Sequence, residues 1–131
     1  MNEHPNAERV RALFRAFHER DLETVQASLA ADAVWHFPGT HGQLAGSHRG
    51  HEAIFTFLLS VAELTDDTFS LDLIDVLAND DRAVALFRGH GRRGERELDN
   101  PTTLVIRMEA GQAKEIHEFV WNLFDVDKFW T

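Results

Sequence analysis

The chain has 131 residues, of which 44% are hydrophobic and 27% are charged, and its formal net charge is −9 at pH 7. This length supports one hydrophobic core but not two, so we predict a single domain over residues 1–131. The negative charge argues against nucleic acid and anionic membrane surfaces as partners, because both would repel the chain. The sequence contains no cysteine, which excludes disulfides, thiolate catalysis and cysteine-based metal sites.

The N-terminal residues lack the basic start and apolar stretch of a secretion signal. The longest apolar runs, such as residues 57–59, are too short to span a bilayer. We therefore expect a soluble cytoplasmic protein with no membrane partner.

Three amphipathic helices are predicted. Residues 7–20 carry apolar side chains at positions i, i+3, i+4 and i+7, and Asp21 can cap a second, shorter helix that ends in residues 30–32. The third helix is predicted over residues 51–64, which carry a wide apolar face. The inward positions include Val10, Leu13, Phe14, Phe17, Leu22, Val25, Leu29, Ile54, Phe57, Leu58 and Val61.

Strands account for most of the remaining chain. A short aromatic strand is predicted over residues 33–37, followed by a loop that extends to Gly50. Four long strands follow, and turn residues separate them. Their predicted ranges are 68–78, 82–92, 96–109 and 113–124.

The predicted fold class is α+β, with the element order ααβαββββ. Long antiparallel strands must twist and curl, so the sheet has a concave side that the helices can fill. Three helices packed into this strongly curved, mainly antiparallel sheet would form a cone-shaped α+β barrel, and any unfilled space would become a pocket. Phe129 and Trp130 are predicted to cover the open end of the cone.

The element order and three segments resemble one known family. The segments are residues 33–39 (AVWHFPG), 44–54 (LAGSHRGHEAI) and 127–130 (DKFW). They are similar to the SnoaL-like, polyketide-cyclase-like branch of the nuclear transport factor 2-like superfamily, which also contains ketosteroid isomerases. The resemblance covers nearly the whole chain and implies one SnoaL-like domain with a hydrophobic pocket. Together with apolar residues on both sheet faces, it also implies a homodimer through the outer face.

The last predicted strand contains the main candidate for a catalytic acid, Glu118. Side chains alternate along a strand, so Glu118 lies on one face while His117 and Trp121 lie on the other. The count of apolar residues favours the face with Trp121 as the inner one. The resemblance of residues 116–119 to a segment of the epoxide-hydrolase members implies instead an inward Glu118. A carboxyl group walled by Phe and Trp would have a raised pKa, which suits acid or base catalysis near neutral pH.

His36 and His90 are the other candidate catalytic proton carriers, because a histidine titrates in the range that is useful for proton transfer. Each lies on a predicted strand whose inner face the sequence leaves open. Either histidine would join Glu118 if its side chain faced the pocket, and would otherwise be exposed.

Asn100 and Thr102 share a strand face with Leu98 and Leu104, which indicates that both polar side chains point inward. Buried amides and hydroxyls need hydrogen-bond partners, either in the protein or in a ligand. The predicted substrate-binding residues are Phe14, Phe17, Trp35, Phe37, Asn100, Thr102, Trp121 and Asn122.

Several mechanisms are disfavoured. The chain has no tyrosine, so the oxyanion site of the ketosteroid isomerases cannot be copied here. The epoxide-hydrolase pattern is incomplete, since Arg82 and Glu118 are present but Val84 occupies the position of the other acid. The eight histidines do not complete the five-residue zinc motif of a helix. We therefore predict no metal and no other cofactor.

Two functions remain. The first is a cofactor-independent acid/base enzyme, of the isomerase, cyclase or dehydratase type, that acts on a small apolar carbonyl compound. The second is a non-catalytic module of the same fold that binds a small apolar ligand or mediates dimerisation.

Overall fold

The computed structural model describes residues 3–131, which form four helices and one six-stranded sheet. The helices are α1 (Pro5–Glu19), α2 (Leu22–Ser28), α3 (Gly50–Leu64) and α4 (Leu123–Trp130). The strands are β1 (Leu29–Phe37), β2 (Gly46–Arg49), β3 (Ser70–Ala78), β4 (Arg82–Arg93), β5 (Arg96–Glu109) and β6 (Gln112–Val120). No helix among these residues is long and apolar enough to cross a membrane.

The sheet has the strand order β2-β1-β6-β5-β4-β3. Strands β3 to β6 form an antiparallel meander, whereas β1 lies parallel to β6 and pairs with the short edge strand β2. Helix α1 packs against β3 and β4, and α3 packs against β1 and β2. The predicted α+β class, with a mainly antiparallel curved sheet in a cone-shaped fold, is confirmed.

Helix α1 supplies part of the core. Its N-terminus is capped by His4, whose side chain accepts a hydrogen bond from the backbone N–H of Asn6. Leu13 and Phe14 lie on its buried face, and the Phe14 ring contacts Phe87 of β4 edge-on, with 5.2 Å between the ring centroids. Burial of a side chain such as Leu13 contributes roughly 1.5–3 kcal/mol.

Burial alternates along the meander and identifies its inner face. Ala85 and Phe87 of β4 are buried, whereas Leu86 between them is only half-buried. Gly91 continues this inner face, and a Cβ atom at Gly91 would lie 3.1 Å from the Phe69 ring. The close approach explains the glycine in the strand, and the alternation turns His90 outward.

Two boundaries near the N-terminus differ from the prediction. Helix α2 ends at Ser28, and β1 begins at Leu29 rather than at residue 33, because the backbone of Leu29 pairs with Ala113 of β6. The predicted loop up to Gly50 contains β2, a strand too short to show a periodic pattern.

The prediction of a last strand over residues 113–124 is wrong at its end. Strand β6 stops at Val120, and the chain continues as helix α4, which raises the number of helices from three to four. Asn122 caps α4, since its side-chain oxygen accepts a hydrogen bond of 3.1 Å from the backbone N–H of Asp125. Helix α4 buries Phe129 and Trp130 against the core.

Candidate active site

The register of β6 turns Glu118 toward the interior of the cone. Glu118 is paired with Leu104 of β5, and Val120 is paired with Thr102, and both β5 residues are buried. The opposite face of β6 carries Phe119, which is 57% exposed. The inner face is therefore the one implied by the resemblance rather than the one favoured by the count of apolar residues.

Glu118 has one hydrogen-bond donor from a neighbouring strand. The indole Nε1–H of Trp35 on β1 donates to Oε1 of Glu118 across 3.0 Å. Burial raises the pKa of Glu118 to about 7, because the charged carboxylate loses its hydration, and the Trp35 hydrogen bond opposes this rise in part. Both protonation states of Glu118 are therefore populated at neutral pH.

Aromatic rings pack around Trp35, the hydrogen-bond partner of Glu118. The Trp35 ring lies 6.2 Å from the ring of Phe17 on α1 and 5.4 Å from the ring of Phe57 on α3, measured between centroids. Phe37 on β1 lies 5.3 Å from Phe57. Phe14, another predicted contact, is more deeply buried on α1.

Several inward side chains keep part of their surface accessible. Phe17, Phe37, Glu118 and Val120 are only half-buried, although their contacts and register direct them to the interior. The carboxyl group of Glu118 therefore lies among apolar side chains that keep part of their surface accessible.

Asn100 and Thr102 are buried on the inner face of β5, as predicted. The amide of Asn100 donates to the carbonyl of Pro101 (3.0 Å) and to the Thr102 hydroxyl (3.3 Å), and its oxygen accepts from the backbone N–H of Asn122 (3.3 Å). The Thr102 hydroxyl donates to the carbonyl of Asn100. Their polar atoms thus have partners in the protein, and they tie β5 to the start of α4.

The structure does not bring His36 and His90 to Glu118. His36 follows Trp35 on β1 and points to the outer face, where its ring contacts Ser47 and Glu115. His90 lies on the outer face of β4, with its Nε2 atom 2.7 Å from an oxygen of Asp72. The placement of either histidine in the pocket is therefore corrected, because side chains alternate along both strands.

Trp121 and Asn122 also lie outside the pocket. Trp121 is 81% exposed, and the side chain of Asn122 is occupied as the cap of α4. Both positions were predicted from a strand that continues to residue 124, whereas β6 ends at Val120.

The sequence prediction of the site missed Phe57 and Val120. Phe57 packs against the ring of Trp35, and Val120 lies on the same strand face as Glu118. The helical repeat of α3 had already marked Phe57 as inward, and this signal could have assigned it to the pocket wall. Phe57 also lines a surface cleft of about 620 Å³ between β2 and α3, and Glu118 does not line this cleft.

Comparisons with known proteins agree with this fold. The SnoaL-like domain family matches residues 10–116. Bal32a, from a soil-derived mobile gene cassette, is 34% identical, with a TM-score of 0.92 over 97% of both chains. A nuclear transport factor 2-like protein of unknown function from Burkholderia pseudomallei is 25% identical, with a TM-score of 0.86 over 98% of both chains.

A third structure, TerC co-crystallised with polyporic acid, shares the fold. It is 20% identical, with a TM-score of 0.81, and the alignment covers 96% of this chain and 98% of TerC. No curated protein matches the chain.

Proposed function

The chain belongs to the SnoaL-like domain family, and we propose that its cone binds a small apolar carbonyl compound on which Glu118 acts as general base and general acid. The observation that carries this proposal is the inward Glu118 carboxyl group, which has a pKa of about 7 and lies beside aromatic rings. A group with this pKa can accept and return a proton at neutral pH without a large energetic cost.

The reaction begins when ionised Glu118 removes a proton from the carbon next to the carbonyl group. The electrons of the broken C–H bond move to the carbonyl oxygen and form an enolate. When the substrate is a β,γ-unsaturated ketone, the enolate is a dienolate, and protonated Glu118 returns the proton at the γ carbon while the double bond moves into conjugation with the carbonyl group, which completes an isomerisation. In a cyclisation the enolate carbon instead attacks a second carbonyl group of the same molecule, and the proton goes to the new alkoxide.

Trp35 acts as a positioning residue in this scheme. Its N–H bond to Glu118 favours the carboxylate, so it limits the rise in pKa that burial causes. The indole also fixes one carboxyl oxygen and leaves the other for a ligand.

The pocket walls favour neutral ligands. The neighbours of Glu118 on the inner face of the sheet are Leu104, Thr102 and Val120, which carry no charge. A ligand carboxylate near ionised Glu118 would add unfavourable repulsion. The walls instead offer ring faces and edges to apolar or aromatic substrates.

The proposal is tested with 2-tetralone as a probe in D2O, where proton NMR follows loss of the hydrogens next to the carbonyl group. Wild-type protein should accelerate this exchange, and Glu118→Gln should reduce the protein-dependent rate at least about 100-fold. Glu95→Gln, at an exposed turn, is the matched control and should exchange at the wild-type rate. Equal rates for wild type and Glu118→Gln would remove Glu118 from the mechanism.

A non-catalytic ligand-binding module is the second candidate. It is favoured by one observation, that Glu118 alone of the three predicted proton carriers faces the interior. Binding of 2-tetralone, measured by quenching of Trp fluorescence, without any acceleration of exchange would support this function and contradict the enzyme.

We also propose that two copies of the chain associate through the outer face of the sheet. Two rows of side chains cross this face, and the strand pairing aligns each row. The rows are Leu77–Val84–Val105, which continues to His117, and Leu86–Thr103–Phe119, which begins at Asp75. Leu77 and Phe119 are more than half exposed in the single chain, and an apolar face of this kind is typical of a protein interface.

A further inference from the structure

Three potential metal ligands meet on the outer face of the sheet, on the side opposite Glu118. They are His36 of β1 and Glu115 and His117 of β6, and their ligand atoms all lie within 4.8 Å of one another. The parallel pairing of β1 and β6 places His36 directly beside His117, and Glu115 precedes His117 by two residues on the same face. The cluster is therefore a product of strand register.

We infer that these three side chains bind a zinc ion. Imidazole nitrogens and a carboxylate oxygen form a common ligand set for Zn²⁺, and a set of three leaves the fourth position of a tetrahedral site for water. The imidazole rings of His36 and His117 are stacked, with centroids 4.3 Å apart and planes inclined by 20°. Their ring edges can thus turn toward one ion beside the stack.

The contacts of His36 prepare one nitrogen for a cation. Nδ1 lies 2.7 Å from the hydroxyl oxygen of Ser47, and Nε2 lies 2.8 Å from Oε2 of Glu115. The Ser47 hydroxyl can accept a proton from Nδ1, and Nε2 can then bind a metal in place of the proton that it shares with Glu115. Ser47 would thus fix the tautomer and orientation of the ligand, as hydrogen-bond acceptors on the far nitrogen of zinc-bound histidines do.

Small side-chain movements are enough to complete the site. Zinc bonds of about 2.1 Å in a tetrahedral arrangement place the ligand atoms roughly 3.4 Å apart. In the single chain His117 is exposed and Glu115 and His36 are half-buried, so their side chains can move closer together without disturbing the core.

Nearby charge limits the strength of binding without blocking it. Arg107 Nε lies 4.0 Å from Oε1 of Glu115, the oxygen that does not contact His36. Its positive charge opposes a cation, whereas the net charge of −9 of the whole chain favours one. The other carboxylate oxygen of Glu115, Oε2, stays available to the metal.

The test is a calorimetric titration of the full chain with ZnCl₂ at neutral pH, after removal of bound metal with EDTA. Wild type should bind one zinc ion per chain. His117→Ala should weaken this binding at least about tenfold, and Glu115→Gln should do the same. His18→Ala, which removes an exposed histidine of α1 from outside the cluster, is the control and should bind as wild type does.

Two results would overturn the inference. One is a titration of wild type in which the heat does not exceed that of ZnCl₂ injected into the same buffer without protein. The other is equal zinc affinity in wild type and His117→Ala, since the ion would then lie elsewhere. Far-ultraviolet circular dichroism of each variant checks that its fold is retained, and the exposed position of His117 makes loss of folding an unsuitable explanation of weaker binding.

Discussion

Glu118 stabilises the fold only when it carries a proton. Its folded pKa of about 7 exceeds the ordinary value of 4.5. The stabilising contribution of the protonated group is therefore complete below pH 4.5 and is lost as the pH rises through 7. Above that range the ionised, half-buried carboxylate costs up to about 3 kcal/mol, which is the cost of a shift of 2.5 (7 − 4.5) at about 1.4 kcal/mol per pKa unit, less the part that solvent still screens. A group that costs stability at working pH is typical of functional sites.

Substitution of Glu118 by glutamine removes this cost. Glu118→Gln should raise the free energy of unfolding at pH 8 by up to about 3 kcal/mol, and the gain should shrink as the pH falls toward 4.5. Urea denaturation at several pH values measures the difference, with Glu95→Gln as the control for loss of one negative charge. If the gain in the free energy of unfolding were the same at every pH, the claim that ionisation of Glu118 destabilises the fold would be contradicted.

The sequence identifies Glu118 as a candidate catalytic acid, but it does not identify Trp35 as the hydrogen-bond partner of Glu118. Trp35 precedes Glu118 by 83 positions, and only the parallel pairing of β1 with β6 brings the two together. The same pairing joins His36 to His117, so the outer-face cluster is also invisible to short sequence motifs. Local patterns identify which residues are polar, whereas register decides which of them meet.

Among the elements, those with an uninterrupted period were predicted well. Helices α1 and α3 and strands β4 and β5 agree with the prediction within a few residues, because each carries one consistent apolar spacing and ends at a clear turn. Strand β6 and helix α4 were merged, since residues 119–124 contain apolar side chains at spacings that fit either element. The cap at Asn122 was the available signal for a helix start.

This boundary determined the outcome for two predicted site residues. A strand through residue 124 would have carried Trp121 and Asn122 along the pocket wall. Because the chain turns into α4, Trp121 becomes a surface residue and Asn122 becomes a cap, while the same helix delivers Trp130 to the core. An error of four residues in one element thus changed the assigned role of two side chains.

At the scale of the whole molecule, the outer face of the sheet should join two copies of the chain. Sedimentation equilibrium should give twice the mass of one chain for wild type. Phe119→Asp should shift the equilibrium toward the monomer, because it places a charge at the end of one of these rows, on the most exposed of their large apolar side chains. Leu59→Asp changes an equally exposed residue on α3, away from this face, and should leave the dimer intact. A monomeric wild type would contradict the proposed interface.

The cone as a whole could be predicted from the sequence, whereas the packing of the side chains around Glu118 could not. The long strands predict that the sheet is curved, and the apolar helix faces predict that helices fill its concave side. The depth of the remaining space depends on how Phe17, Phe37 and Phe57 pack against one another, and the sequence does not specify those ring positions. The structure reduces three candidate proton carriers to one, Glu118, beside an aromatic wall.

The pKa of Glu118 is the most direct test of the central claim that the cone holds a carboxyl group tuned to neutral pH. It can be measured by NMR titration of ¹³C-labelled glutamate side chains, with Glu118→Gln used to identify the signal. The predicted midpoint is about 7 in wild type and higher in Trp35→Phe, which lacks the N–H donor that stabilises the carboxylate. A Glu118 midpoint at the ordinary value of 4.5 would contradict the account.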